Sequence, residues 1–273
     1  MNKNIKQILA IIAIVLLAGL YLCAFVSAFF KSELAQTLFR AALGGTIIIP
    51  VFLYAFLLAA KALKPGKSPL IDTIVFDVGN VLIGFDYLTF CREELGFSEE
   101  IITLMTTDHR FSDLWRDFDL GLRPYEEIRD DYLRTFPSYQ TEIAAFLDNI
   151  DRAMVPYGYA VPMLEALKQR GYRLYILSNW NRFTYDRLSE RGDMAIEALT
   201  DGAAWSHQTH LLKPDPAAYA YLTAAFGITP ERAVFIDDMA ANTAAAAEAG
   251  YQTITFTDYQ TMKDKLAALG VRF

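Results

Sequence analysis

The sequence predicts an α/β protein: a doubly wound parallel sheet with a helical cap inserted into it, preceded by two transmembrane helices. Three observations carry that expectation. Two long uncharged runs fill most of the first 60 residues. From residue 70 onward, short apolar runs alternate with amphipathic stretches, the pattern of strands joined by crossover helices. One interval, residues 87 to about 155, interrupts that alternation with helical patterns alone.

The head of the chain comes first. Residues 8–30 carry no charge over about 23 positions, and residues 41–60 none over about 20. Either run is long enough to cross a hydrocarbon core of about 30 Å. Pro50 sits in the second run, where a spanning helix tolerates it with a kink. The segment 31–40 between them is short and polar, so the two runs read as a helical hairpin. A cleaved signal peptide is the competing reading, since Lys3 and Lys6 precede the first run and Val26-Ser27-Ala28 is a small-residue cleavage site. Against it, the apolar stretch exceeds the usual length and a second run follows at once. A lipoprotein site at Cys23 is disfavoured by Leu22 before it. Lys3, Lys6, Lys61, Lys64 and Lys67 flank the hairpin, against Lys31 and Arg40 in its connector. That bias places both ends in the cytoplasm, at a bacterial inner membrane. Residues 64–69, Lys-Pro-Gly-Lys-Ser-Pro, read as the linker.

Charge separates the two parts. Residues 1–67 hold seven Lys or Arg and one Glu, net +6, which leaves −13 for residues 68–273 of a chain whose total is −7. An acidic body argues against nucleic acid as a partner, because backbone binding needs a basic face. Cys23 and Cys91 fall in different parts, so neither part closes an internal disulfide, which fits a reducing compartment.

In the body, residues 71–76, 172–177, 233–236 and 252–256 are the expected buried strands, and 162–169, 183–191, 217–226 and 239–248 the helices between them. Gly250 stops the Ala-rich last of these. The interval 87–155, with amphipathic patterns at 125–135 and 141–154, reads as a cap over the strand ends, where ligands bind in such sheets.

Four segments stand at the C-terminal ends of expected strands. Asp77 follows an apolar run and precedes Val78-Gly79-Asn80; by itself it is an ordinary strand-to-loop Asp. Ser178-Asn179 supplies a hydroxyl and backbone donors that suit an anion, though such a pair is also common turn chemistry. Lys213 precedes Pro214-Asp215-Pro216 and taken alone is a surface lysine at a helix start. Asp237 and Asp238 are adjacent carboxylates that repel unless a cation relieves them, which points to a hard metal ion.

As an ordered set, Asp77, Ser178, Lys213 and Asp237-Asp238 resemble the four motifs of the haloacid dehalogenase superfamily, over residues 71 to about 257 with the cap included. The likeness is greatest to a bacterial branch of the subfamily IA kind, with an Asp-x-Gly-Asn first motif and an Ile-Asp-Asp fourth. That branch includes sugar-phosphate phosphatases acting on glucose 1-phosphate. The resemblance implies that Asp77 attacks phosphorus and forms an aspartyl-phosphate. It implies Mg2+ held by Asp77, the Gly79 carbonyl and Asp238, with Asp237 acting directly or through water. Ser178, the Asn179 backbone and Lys213 are implied to bind the phosphoryl oxygens. Asn242 is implied to orient the carboxylate pair and Asn80 to shape the loop. The two apolar runs lie outside the resemblance.

One position departs from it. Most phosphatases of the superfamily carry a second Asp two residues after the nucleophile, which protonates the leaving oxygen and then activates water. Here that position is Gly79. Losing a general acid and base typically lowers rates by about 10²–10⁴-fold. Good leaving groups, the substrate's own hydroxyls, or another residue would compensate; Asp86 and the cap residue Asp119 are candidates. The gap also keeps two alternatives open: a metal-independent haloacid-type dehalogenase, and a membrane-tethered module that binds a phospho-ligand or partner with little turnover. Retention of both Asp237 and Asp238 favours phosphate chemistry on small phosphorylated substrates, sugar phosphates first.

Other residues take plainer readings. His207 and His210, three apart without a third ligand nearby, read as loop or surface. His109 reads as a solvated helix end, and Phe111, Trp115 and Phe118 as cap core. Trp180 is expected at the pocket mouth.

Overall fold

The computed structural model describes residues 18–29, 32–62 and 70–273. The chain divides into two compact units, Met1–Ser68 and Pro69–Phe273.

In the first unit, residues 18–27 are helical and Glu33–Ala62 is one helix of 30 residues. Ser32 Oγ accepts from the Ala35 N–H at 3.3 Å, satisfying a free donor of the first turn. The polar connector expected over 31–40 is therefore corrected, since Glu33 to Arg40 is already helical. Leu34, Ala35, Gln36 and Leu38 are good helix formers, and Glu33 suits the positive end of the helix. The helix also continues through Pro50. Of the span expected over 8–30, residues 8–17 and 30 lie outside the described residues, as does the linker segment 63–69. The span expected over 41–60 falls in the long helix, where residues 47–50, 52–53 and 55–62 are described as backbone only. Among the residues described in full, no helix is long and apolar enough to cross a membrane. The two expected spans are thus not recovered.

The second unit is built on seven strands: β1 (Thr73–Phe76), β2 (Ile83–Phe85), β3 (Met154–Pro156), β4 (Arg173–Ser178), β5 (Gly202–Trp205), β6 (Ala233–Asp237) and β7 (Gln252–Thr255). Five form one sheet in the order β5-β4-β1-β6-β7, every neighbouring pair parallel. The chain leaves β1 toward β4 and β5, then returns to lay β6 and β7 on the other side. β1 therefore lies at the switch point, where a crevice opens beyond the strand ends. The central strands β1, β4 and β6 are buried on both faces, with alternate residues serving different cores. Ile74, Phe76, Ile176, Val234 and Ile236 join one apolar cluster, while Val75, Tyr175, Leu177 and Phe235 join the other.

The expected β1, β4, β6 and β7 stand within two residues of their predicted bounds. β5 was not expected: Gly-Ala-Ala-Trp has little strand propensity, and pairing with Tyr175 to Ser178 at the sheet edge makes it a strand. The helix expected over 141–154 is also corrected, ending at Asn149. Beyond it, Asp151 is held by Arg187 at 3.1 Å and Arg191 at 2.9 Å. Met154–Pro156 then pairs antiparallel with Ile83–Phe85. This ribbon closes the two ends of the insert, so the cap enters and leaves the sheet at one place. The cap helices Glu99–Thr107, His109–Leu120, Tyr125–Thr135 and Gln140–Asn149 pack around Phe111, Tyr132, Phe136 and Phe146.

Candidate active site

Asp77 stands one residue past β1, where its N–H donates to the Ile236 carbonyl at 2.8 Å. Its Oδ1 accepts from the Val78 N–H at 2.7 Å, from Ser178 Oγ at 2.7 Å and from Lys213 Nζ at 2.9 Å. No donor among the described residues reaches Oδ2. Burial pushes the Asp77 carboxyl up to about 6, against the pull of Lys213.

Lys213 is buried and sits between two carboxylates, its Nζ also 2.6 Å from Asp237 Oδ2. Burial works against its charge, but Asp77 and Asp237 outweigh it and hold the ammonium above its ordinary value. The backbone at Lys213 is fixed by Asn179, whose Oδ1 accepts the Lys213 N–H at 2.9 Å and whose Nδ2 donates to the Lys213 carbonyl at 3.0 Å. The Asn179 side chain thus positions the lysine, a role the sequence did not indicate.

Asp237 ends β6 and is fully buried. Beyond Lys213, it accepts from the Met239 N–H at 2.8 Å and from Asn242 Nδ2 at 2.9 and 3.1 Å. Asp238 is freer: Asn80 Nδ2 donates to its Oδ2 at 3.1 Å, and burial raises its carboxyl. Asn80 adopts φ 56°, a left-handed conformation that Asn tolerates, and its Oδ1 accepts from the Phe85 N–H at 3.0 Å. One side chain therefore ties the loop after β1 to the end of β6.

Asp77, Asp237 and Asp238 each offer an oxygen within 4.8 Å of the others. Three hard oxygen donors converging beside a phosphate-sized space suit Mg2+. The cavity over them measures about 400 Å³; Gly79, Asn179, Lys213 and Asn242 line its floor, and Ser112, Trp115, Arg116 and Asp119 descend from the cap. A smaller space of about 90 Å³ beside it is shared by Asp77, Gly79, Asp119 and Trp180. Six of the site residues expected from the sequence, Asp77, Gly79, Ser178, Asn179, Asp237 and Asp238, come together at the ends of β1, β4 and β6; Lys213 joins them, but from the loop after the Ser206–Thr209 helix and not from a strand end as expected.

The other candidates separate. Asp86 is exposed and accepts the Thr89 N–H at 3.1 Å, away from both cavities. Asp119 is only 8% exposed and lines both. A sequence signal for it exists: Asp119 falls eight residues after Phe111 and four after Trp115, on the apolar stripe of its helix. His207 is buried, not at the surface as expected; its Nδ1 lies 2.7 Å from the Trp180 carbonyl, and its ring packs against Tyr185 and Trp205. His210 reaches the Leu120 carbonyl at 2.7 Å and so joins body to cap, and with their Nδ1 atoms on separate carbonyls the two histidines form no metal pair. Trp180 is buried and walls the smaller space.

The fold and site define a class: a doubly wound hydrolase domain with a carboxylate–lysine centre under a helical cap. The family model of haloacid dehalogenase-like hydrolases matches residues 71–250, and the chain belongs to that family. It is an enzyme, a hydrolase. Among characterised relatives, it is 29% identical over 193 residues to a phosphatase, MT3486, of Mycobacterium tuberculosis (strain CDC 1551 / Oshkosh), covering 62% of this chain and 80% of that protein. It is 31% identical over 114 residues to a phosphoglycolate phosphatase of Nitrosococcus oceani, covering 41% of this chain and only 49% of that one. A HAD family enzyme of Bacteroides thetaiotaomicron, in complex with magnesium and inorganic phosphate, shares the fold with a TM-score of 0.57 at 24% identity, over 71% of this chain and 98% of the other. An L-2-haloacid dehalogenase, RSc1362, shares it with a TM-score of 0.53 at 21% identity, over 74% and 99%.

Proposed function

We propose that the protein is a Mg2+-dependent phosphatase that hydrolyses small phosphomonoesters, sugar phosphates first, through an aspartyl-phosphate on Asp77. The observation that carries this reading is the pairing of Lys213 with both Asp77 and Asp237 beside Asp238. A metal-free dehalogenase has no need of that carboxylate cluster. Asp77, the Gly79 carbonyl and Asp238 would hold the ion, with Asp237 steadying Lys213 and Asn242. Bound there, the ion supplies the positive charge that lets an anionic carboxylate meet an anionic phosphate.

The chain's own groups do the rest. Val78, Ser178 and Lys213 hold Asp77 Oδ1, leaving Oδ2 to attack phosphorus. Lys213 Nζ and the Asn179 backbone N–H bind the phosphoryl oxygens, where charge persists through the transfer, and Ser178 Oγ joins them by turning its one proton from Asp77 Oδ1 to the phosphate. Asn179 keeps the lysine in place by its two bonds to the Lys213 backbone. Polar Ser112 and Arg116 on the cap side suit a small hydroxylated leaving group. Phosphate release from p-nitrophenyl phosphate and sugar 1-phosphates, with and without Mg2+ and in Asp77→Asn, tests the reading.

Gly79 favours a second reading, dehalogenation or binding without turnover. Chloride release from a 2-haloacid in EDTA would support the first, and ligand binding without phosphate release the second. We further propose that the uncharged runs 8–30 and 41–60 anchor the enzyme at the bacterial inner membrane with both ends cytoplasmic; the five flanking lysines support that orientation. Recovery of the full-length chain in the soluble fraction without detergent would contradict it.

A further inference from the structure

Gly79 leaves the site short of a proton donor, and the structure shows open space there. A Cβ built on Gly79 meets nothing nearer than the Trp180 ring at 3.8 Å. Nothing on the floor of the site has filled the position.

Asp119 faces that space from the cap. It lines both the larger cavity with Asp77 and Gly79 and the smaller one beside it. It is 8% exposed, and Asn181 Nδ2 approaches its Oδ1 at 3.4 Å. No Lys or Arg pairs with it among the described residues. Asp151, 6% exposed, shows how the same fold treats a structural carboxylate: two arginines hold it. A buried carboxyl left without a cation is costly to keep charged, and such groups in a cavity mark chemistry more than stability.

The carboxyl is also fixed in place. Ser206 Oγ donates to the Asp119 carbonyl at 2.6 Å, and His210 Nδ1 to the Leu120 carbonyl at 2.7 Å. Gly121 follows at φ 64°, so close to His207 that a Cβ would lie 2.7 Å from its Cα. The end of the cap helix is clamped to the residues after β5, which keeps Asp119 over the catalytic floor.

We propose that the Asp119 carboxyl is the general acid and base of the reaction, supplied from the cap in place of the side chain that Gly79 lacks. This rests on the aspartyl-phosphate reading above. In the first step Asp77 Oδ2 bonds to phosphorus, the phosphorus–ester oxygen bond breaks, and the leaving oxygen takes the Asp119 proton. In the second, water attacks phosphorus, its proton passes to the Asp119 carboxylate, and the bond to Asp77 breaks to release inorganic phosphate. Both residues return to their starting states. Burial pushes the Asp119 carboxyl up to about 7, against hydrogen bonds from Asn181 and Trp115 and against Lys213, and with help from Asp77. Both protonation states are then accessible near neutral pH.

The test uses the full-length chain, Mg2+, and two substrates: p-nitrophenyl phosphate, whose leaving group needs no proton, and glycerol phosphate, whose leaving group does. Asp119→Asn is expected to lose about 10²–10⁴-fold on glycerol phosphate. On p-nitrophenyl phosphate it should release one equivalent of nitrophenol in a burst, then turn over slowly as the phospho-enzyme waits for its base. Asp119→Glu should recover part of the glycerol phosphate rate. Gly79→Asp in the Asp119→Asn background should restore it, because a Cβ at that position meets nothing nearer than 3.8 Å and the carboxyl it carries borders the same cavity. Equal losses on both substrates without a burst, or no loss on either, would overturn the proposal. Absence of Asp77-dependent nitrophenol release in the unmutated enzyme would instead bring down the phosphatase reading, and this proposal with it.

Discussion

Replacing Asp119 by Asn removes a buried ionisable group while keeping its shape, so its effect on stability should change sharply with pH. The folded state holds this carboxyl at about 7 against an ordinary value of 3.8. A folded pKa raised above the unfolded one means that the folded state binds the proton more tightly. The stabilisation is fully present below the unfolded value and is lost as pH rises through the folded one. Each unit is worth about 1.36 kcal/mol, so from pH 5 to pH 7 the titration of Asp119 removes on the order of 3 kcal/mol from the protein that carries it, a loss that Asp119→Asn does not have. The gap between the two proteins should therefore move by that amount in favour of the variant between pH 5 and pH 8. Asp77 titrates in the same window and raises the Asp119 carboxyl, so the comparison is made in the Asp77→Asn background, where that coupled group is absent from both proteins. Urea unfolding in EDTA, followed by tryptophan fluorescence, measures it, because all three tryptophans, Trp115, Trp180 and Trp205, belong to the hydrolase unit. A gap that stays constant across that pH range would refute the claim that Asp119 is buried without a compensating cation.

Further perturbations probe the rest of the site. Lys213→Met leaves Asp77 and Asp237 buried without their shared cation, and should lower unfolding free energy by about 3–5 kcal/mol and abolish phosphate release; a urea midpoint within error of the unmutated protein would contradict this. Gly121→Ala places a Cβ against the His207 backbone at a left-handed φ, and should destabilise by more than about 1 kcal/mol while lowering kcat as the cap lifts; thermal melts and steady-state kinetics check both. Burial pushes the Cys91 thiol up to about 12, so Cys91 should resist a disulfide exchange reagent in the native protein at pH 8 and react once urea unfolds it.

Asp77, Ser178 and Asp237 were legible in the sequence because each ends a buried apolar run. A polar side chain directly after Ile-Val-Phe, Tyr-Ile-Leu or Val-Phe-Ile has the strand's C-terminal edge as its only exit, and the parallel order of the strands then collects those edges. What stayed hidden depends on contacts between segments far apart in the chain. The sequence named Asp119 beside Asp86 without separating them, since burial of one and exposure of the other follow from how the cap docks. The burial of His207 follows from the close approach of Gly121, which no local pattern announces. β5 is a strand through its pairing with β4, and the ribbon of β2 and β3 is three residues long on each side, too short for a period to show.

Phosphate release by the full-length chain, with Mg2+ or EDTA and beside Asp77→Asn, tests the central claim most directly. Release from p-nitrophenyl phosphate that requires both Mg2+ and Asp77 is the predicted result. Release that survives Asp77→Asn, or that EDTA leaves undiminished, would contradict an aspartyl-phosphate mechanism built on Asp77, Lys213 and the Asp237–Asp238 pair.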